Sequence, residues 1–169
     1  MTRILGIDPG SRVTGFGIID TDGAASRYVT SGCIRITGDD WGERLGTIFS
    51  ELGEVIAEHG PQVFAIERVF MHRNADSALK LGQARGAAIC SAVNHTIPMS
   101  EYSPREIKQA ITGKGGAAKD QVQHMVRVLL KLSGTPQEDA ADALAVALCH
   151  AHTMLTLQHM SQGNSGGRT

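Results

Sequence analysis

The chain has 169 residues, 41% of them hydrophobic and 20% charged, with a formal net charge of -1; that is room for one core burying roughly two-thirds of the unfolded surface, and it excludes a disordered chain. No apolar run approaches a membrane span and the N-terminus lacks the basic-then-apolar pattern of an export signal, so a soluble, cytoplasmic protein without a membrane partner is expected. Cys33, Cys90 and Cys149 are odd in number and far apart, and the seven histidines form no short-spaced ligand motif, which excludes a disulfide framework and a zinc cluster and leaves the cysteines as small buried hydrophobes.

Residues 3–8 and 13–20 are short, β-branched apolar runs separated by Pro9-Gly10, and residues 27–36 alternate after the Asp22-Gly23 turn. Together they predict a three-stranded antiparallel meander. Asp39-Asp40 caps a helix over 41–59, whose Leu45, Ile48, Leu52, Val55 and Ile56 repeat at helical spacing before Gly60-Pro61 stops it. Residues 62–66 form a strand that a right-handed crossover adds in parallel. A second long helix spans 75–93, a fifth strand 96–102, and Ser103-Pro104-Arg105-Glu106 opens a third helix with Pro in its first turn. Gly113-Lys114-Gly115-Gly116 is a basic loop before a helix over 119–132, and Thr135-Pro136 opens a last helix reaching about residue 157. The order βββαβαβααα defines an α/β domain over residues 1–158, a mixed five-stranded sheet flanked by helices, with a disordered tail over 159–169.

The near-zero net charge conceals a partition. Residues 68–131 carry ten Lys or Arg against four acids, a local charge of +6, while the remainder carries -7. A basic surface beside an acidic one suits an enzyme that grips a polyanion next to a carboxylate centre.

Asp8 and Glu67 each end an apolar strand, ILGID and VFAIE. An acid in that position often does no more than cap a turn. If the two strands are neighbours, however, both carboxylates meet where open α/β sheets place their ligands. Asp139 and Asp142 lie three residues apart in the first turns of the last helix, where the helix dipole alone favours acids. Asp142 is nonetheless embedded in an alanine-rich face that packs closely, and a carboxylate there needs a partner. Four acids without a His or Cys cluster suit a hard cation, Mg2+ or Mn2+, and the hydrolysis of phosphodiesters by two ions about 3.5–4 Å apart. Thr112-Gly113-Lys114-Gly115 lacks the spacing of a phosphate loop, and Gly10, Gly15 and Gly17 form no dinucleotide fingerprint.

GIDPGSRVTGFG, AIERVFMHRNADSALKLGQARG, QVQHMVRVLLKL and QEDAADALAVALCHAH resemble the RuvC family of Holliday-junction resolvases, which has an RNase H-like fold. The resemblance runs from Ile4 to His152. It implies a homodimeric, Mg2+-dependent endodeoxyribonuclease of recombination and repair, with two ions per subunit and Mn2+ as a substitute, that cuts opposed strands of four-way junction DNA symmetrically. By the same resemblance Asp8, Glu67, Asp139 and Asp142 are the catalytic, metal-binding carboxylates. Phe70 stacks on a base of the opened junction, Arg73, Lys108, Lys114 and Lys119 contact DNA, and the helix from Ala75, with Ala78, Leu79, Gly82 and Gly86 on one side, meets its twin across a dimer axis. The branch-migration complex of RuvA and RuvB is the implied partner.

Two alternatives remain at this point. A noncatalytic dimeric scaffold would bind junctions and leave them intact with or without Mg2+. An actin-like ATPase would need a second Asp-x-Gly hairpin in a duplicated domain, which the sequence lacks.

Overall fold

The apolar runs at the N-terminus pair as their turns dictate. In the computed structural model, which describes residues 1–70 and 74–163 apart from the side chains of 161–163, the elements are β1 (Thr2–Asp8), β2 (Val13–Thr21), β3 (Ser26–Arg35), α1 (Trp41–His59), β4 (Val63–Glu67), α2 (Ala75–Asn94), β5 (Met99–Tyr102), α3 (Pro104–Thr112), α4 (Lys119–Leu129) and α5 (Glu138–Gly163). The order matches the sequence reading. The sheet runs β3-β2-β1-β4-β5; the first three strands are antiparallel, while β4 joins β1 and β5 joins β4 in parallel.

Local chemistry sets most boundaries. Asp40 caps α1 by accepting from the Glu43 amide, and Gly60 closes that helix at φ 58 in the left-handed region. Ser103 and Glu106 form a reciprocal capping box at α3, with Pro104 in the first turn.

Three ends differ from expectation. β5 begins at Met99 rather than at residue 96, because the Thr96 and Ile97 amides turn back to Val93 and Ala92 and Pro98 has no N–H for a ladder. α4 stops at Leu129, with Lys131 at φ 52 and the Leu132 amide closing on the Arg127 carbonyl. α5 starts at Glu138, its first backbone bond running from Ala141 to the Gln137 carbonyl, so Glu138 and Asp139 fill the first turn, where the dipole favours acids. At its other end α5 continues to Gly163, so the backbone of residues 159–163 is helical where a frayed tail was expected; residues 164–169 lie outside the described residues.

The sheet separates two cores. One face packs Leu5, Ile7, Ile18, Phe64 and Ile66 against Ile48, Leu52 and Ile56 of α1 and Ala84, Ala88 and Ala92 of α2. The other packs Ile4, Ile19 and Ala65 against α3, α4 and the middle of α5. By length and hydropathy alone Glu138–Met160 could cross a membrane, contrary to the sequence reading that no run approaches that length, but 61% of its most apolar stretch is buried inside the domain. Cysteine burial was overestimated as well: only Cys149 is buried, Cys33 is half-buried and Cys90 exposed.

Candidate active site

Strand parity aims the two strand-end acids. Ile4 belongs to the core beneath α5, and Leu5 and Ile7 to the opposite face. The two-residue period then puts Ile4, Gly6 and Asp8 on the α5 side, and in β4 Val63, Ala65 and Glu67 likewise. Because Ile7 pairs with Ile66 across the parallel ladder, Asp8 and Glu67 stand beside each other at the C-terminal ends of neighbouring strands and face the same helix.

Glycines bring that helix close. Gly6 pairs with Gly17, and Asp8 with Gly15, across the β1–β2 ladder. A Cβ at Gly6 would lie 2.2 Å from the Ala143 carbonyl oxygen, and one at Gly15 would lie 2.0 Å from that of Asp139. No side chain fits in either gap. The floor of Gly6, Gly15 and Gly17 therefore lets α5 lie on the sheet at backbone distance, with Ala140, Ala141, Ala143 and Ala147 buried along it. This fixes the first turns of α5, and so Asp139 and Asp142, over the end of β1.

The outcome is a cleft of about 280 Å³ lined by Asp8, Glu67, Asp142, Lys108, Lys119, Pro104, Ile107, Val122 and Ala145. Asp139 lies one turn earlier on α5 and outside this lining, yet its charge is felt at Asp8. Burial, the negative charges of Glu67, Asp142 and Asp139, and a proton shared with Glu67 push the Asp8 carboxyl up to about 8. Glu67 is also raised, chiefly by burial, while its hydrogen bond with Asp8 pulls the other way. Such a cluster holds protons because it lacks positive charge, and a hard divalent cation is the chemistry that would replace them. Among the described residues no three His, Cys, Asp or Glu already form a ligand group. The Lys119 ammonium instead bonds Asp142 at 2.8 Å and Glu138 at 2.5 Å. Its burial lowers its proton affinity, but the two carboxylates outweigh that and raise it. The oxygen-only donor set of Asp8, Glu67, Asp142 and the nearby Asp139 fits Mg2+ or Mn2+, provided Lys119 releases Asp142.

The other expected site residues are dispersed. Lys108 reaches the cleft from α3, whereas Lys114 in the α3–α4 connection lines a separate depression with Asp120 and His124. Neither has a carboxylate partner among the described residues. Phe70 is 58% exposed just beyond β4, and Arg73 lies outside the described residues. The basic block is less free than its count suggests, since Arg68 pairs with Glu106, Lys80 with Asp76 and Arg85 with Glu101. Sequence reasoning missed Glu138 and Arg85 as neighbours of the site. Glu138 was legible as a helix-start acid beside DAAD; Arg85 gave no signal, because its Nε donates to a main-chain oxygen, that of Glu67, at 3.0 Å.

The family model of the crossover junction endodeoxyribonuclease RuvC matches residues 4–150. The chain belongs to that family. The RuvC of Aeromonas hydrophila subsp. hydrophila is 58% identical over 166 residues, 98% of this chain and 96% of its own. That of Vibrio vulnificus is 61% identical over 157 residues, 93% of this chain and 91% of its own. Among solved structures, T. thermophilus RuvC in complex with Holliday junction substrate is 34% identical and superposes with a TM-score of 0.87 over 92% of this chain and 96% of that one. The fold is thus RNase H-like, and the chain is a nuclease of the hydrolase class, a Holliday junction resolvase. The scaffold and ATPase alternatives fall with that membership, which also carries divalent-metal use.

Proposed function

We propose that Asp8, Glu67, Asp139 and Asp142 form a Mg2+ centre, two ions per subunit with Mn2+ able to substitute, at which a homodimer hydrolyses one phosphodiester in each of two opposed strands of a four-way DNA junction. The observation that carries the reading is the registered pair Asp8 and Glu67, facing α5 and Asp142 across one cleft, with Asp8 holding its proton up to about 8 for want of positive charge. When bound, the divalent ions would supply an activated water and stabilise the leaving oxygen.

The chain's own residues do the rest. Asp8 and Glu67 present oxygens from two strand ends that cannot move independently, and α5 presents Asp142 and Asp139 from a helix held at backbone distance by Gly6 and Gly15. Lys108, in the cleft wall and without a carboxylate partner among the described residues, is placed to hold a phosphate beside the acids. Lys119 joins it once the ions draw Asp142 away. Phe70 offers an exposed ring to an unstacked base, a contact worth about 1–3 kcal/mol and better suited to an opened junction than to intact duplex. Lys114 and Arg73 extend the backbone contact. Twofold symmetry through α2, whose Gly82 and Gly86 have nothing packed over them, gives two matched centres from one kind of subunit. We place the protein in the cytoplasm beside its DNA substrate, working with the RuvA–RuvB branch-migration complex.

The test is incubation with a synthetic mobile four-way junction, with and without Mg2+, followed by mapping of the nicks. Symmetric, ligatable nicks in two opposed strands are expected only with the metal. Intact strands under both conditions, with the junction bound, would overturn the reading.

A further inference from the structure

Arg85 comes from the middle of α2, on the face of the sheet opposite α5, and its side chain is only 17% exposed. Its Nε donates to the main-chain oxygen of Glu67 at 3.0 Å, and its Nη2 bonds the Glu101 carboxylate of β5. Glu67 is the last residue of β4, and the chain beyond it runs to exposed Phe70. After Glu67 the ladder offers little: the Arg68 amide bonds the Tyr102 carbonyl at 2.7 Å and β5 itself ends at Tyr102. A strand end carrying a half-buried carboxylate that repels Asp8 and Asp142 needs an anchor on its backbone. Arg85 is that anchor, held from behind by Glu101.

We infer that Arg85 is a positioning residue, fixing the Glu67 carboxylate through its main-chain oxygen and tying the site to α2. The inference rests on the proposed role of Glu67. It has a mechanical corollary: α2 is the helix proposed for the dimer contact, so one side chain links that face to the acids.

The experiment compares wild type, Arg85→Ala, Arg85→Lys and Glu101→Gln by three readings: single-turnover cleavage of a four-way junction, junction affinity in Ca2+, and Mg2+ affinity by calorimetry without DNA. Residues that orient a metal's ligands cost about 10–100-fold in metal affinity or activity when removed. Arg85→Ala should lose that much in cleavage rate and weaken Mg2+ binding, with junction affinity within about threefold. Arg85→Lys, which keeps one donor, should recover part of both losses, and Glu101→Gln should fall between. Sedimentation and circular dichroism at the assay temperature confirm that each variant is folded and still a dimer. Wild-type rate and Mg2+ affinity in folded Arg85→Ala, or a loss matched by unfolding or dissociation, would overturn the inference. A wild type that binds junctions without cutting them would instead overturn the functional reading, and the Mg2+ titration still reads Arg85 on its own.

Discussion

Neutralising one carboxylate should strengthen the fold and abolish its chemistry. In Asp8→Asn the amide keeps the shape of the side chain and removes the charge that burial, Glu67, Asp142 and Asp139 all oppose. The folded carboxyl keeps its proton to about pH 8 and the unfolded one to 3.8, so the folded state binds more protons between those values and wild-type stability falls as pH rises through that window. Each tenfold change in proton affinity is about 1.4 kcal/mol, which sets a ceiling of about 5 kcal/mol on the cost of ionising Asp8. The proton is shared with Glu67 and the side chain keeps some contact with solvent, so the gain at pH 8.5 should be about 1–3 kcal/mol, or about 2–10 °C in Tm for a chain of this size. Calorimetric melts in chelator should show that gain at pH 8.5 and little of it at pH 5. Mg2+ should raise the wild-type Tm and leave the variant nearly unmoved, while the variant binds junctions and cuts none. An Asp8→Asn protein no more stable than wild type at pH 8.5 without metal would refute the electrostatic reasoning, and full cleavage in Mg2+ would refute the site.

Gly6→Ala puts a Cβ 2.2 Å from the Ala143 carbonyl oxygen; overpacking of that kind costs about 1–3 kcal/mol or more, so denaturant melts should show that loss and cleavage should fall with the displacement of α5. Phe70→Ala should cut cleavage about 10-fold or more and leave duplex affinity and stability nearly unchanged, within about 0.5 kcal/mol for a side chain this exposed; a large stability loss would mean the ring is structural. His150, buried with its Nδ1 2.7 Å from the Tyr102 hydroxyl, has its proton affinity lowered by burial. The unfolded chain therefore binds the extra proton first, and the stability due to His150 is lost as pH falls below about 6.5. His150→Gln should flatten that acid limb in a Tm-against-pH series, and an unchanged slope would count against it.

What was legible in the sequence follows from what is local. Asp8 and Glu67 could be placed together because both end apolar strands and a helix between two strands implies parallel neighbours. Their shared orientation is also a matter of parity, Ile4-Gly6-Asp8 and Val63-Ala65-Glu67. The glycine floor was not legible: Gly6, Gly15 and Gly17 become one surface only when the β1–β2 register aligns Gly6 with Gly17, and no motif at fixed spacing encodes that. The ends of α4, α5 and β5 shifted because backbone closure at Lys131, Gln137 and Thr96 depends on carbonyls the sequence pattern does not display. The charge count misled in part, since Arg68, Lys80, Arg85 and Lys119 spend their charge on acids of the same domain.

The placement of these groups divides the labour of the molecule. The acids stand on strand ends and on a helix held against backbone, elements that cannot yield without disturbing the two cores, and this rigidity is what keeps mutually repelling carboxylates within reach of one another. Phe70 and Lys114 stand on connections outside those cores, where a side chain can follow the shape of a distorted substrate. Substitutions in the frame, at Gly6, Gly15 or Arg85, should therefore act on the rate of the chemical step, and those at Lys114 on binding. Phe70 belongs between the two classes, because stacking that is gained only as the junction opens lowers the barrier to the reactive geometry without strengthening the grip on closed duplex.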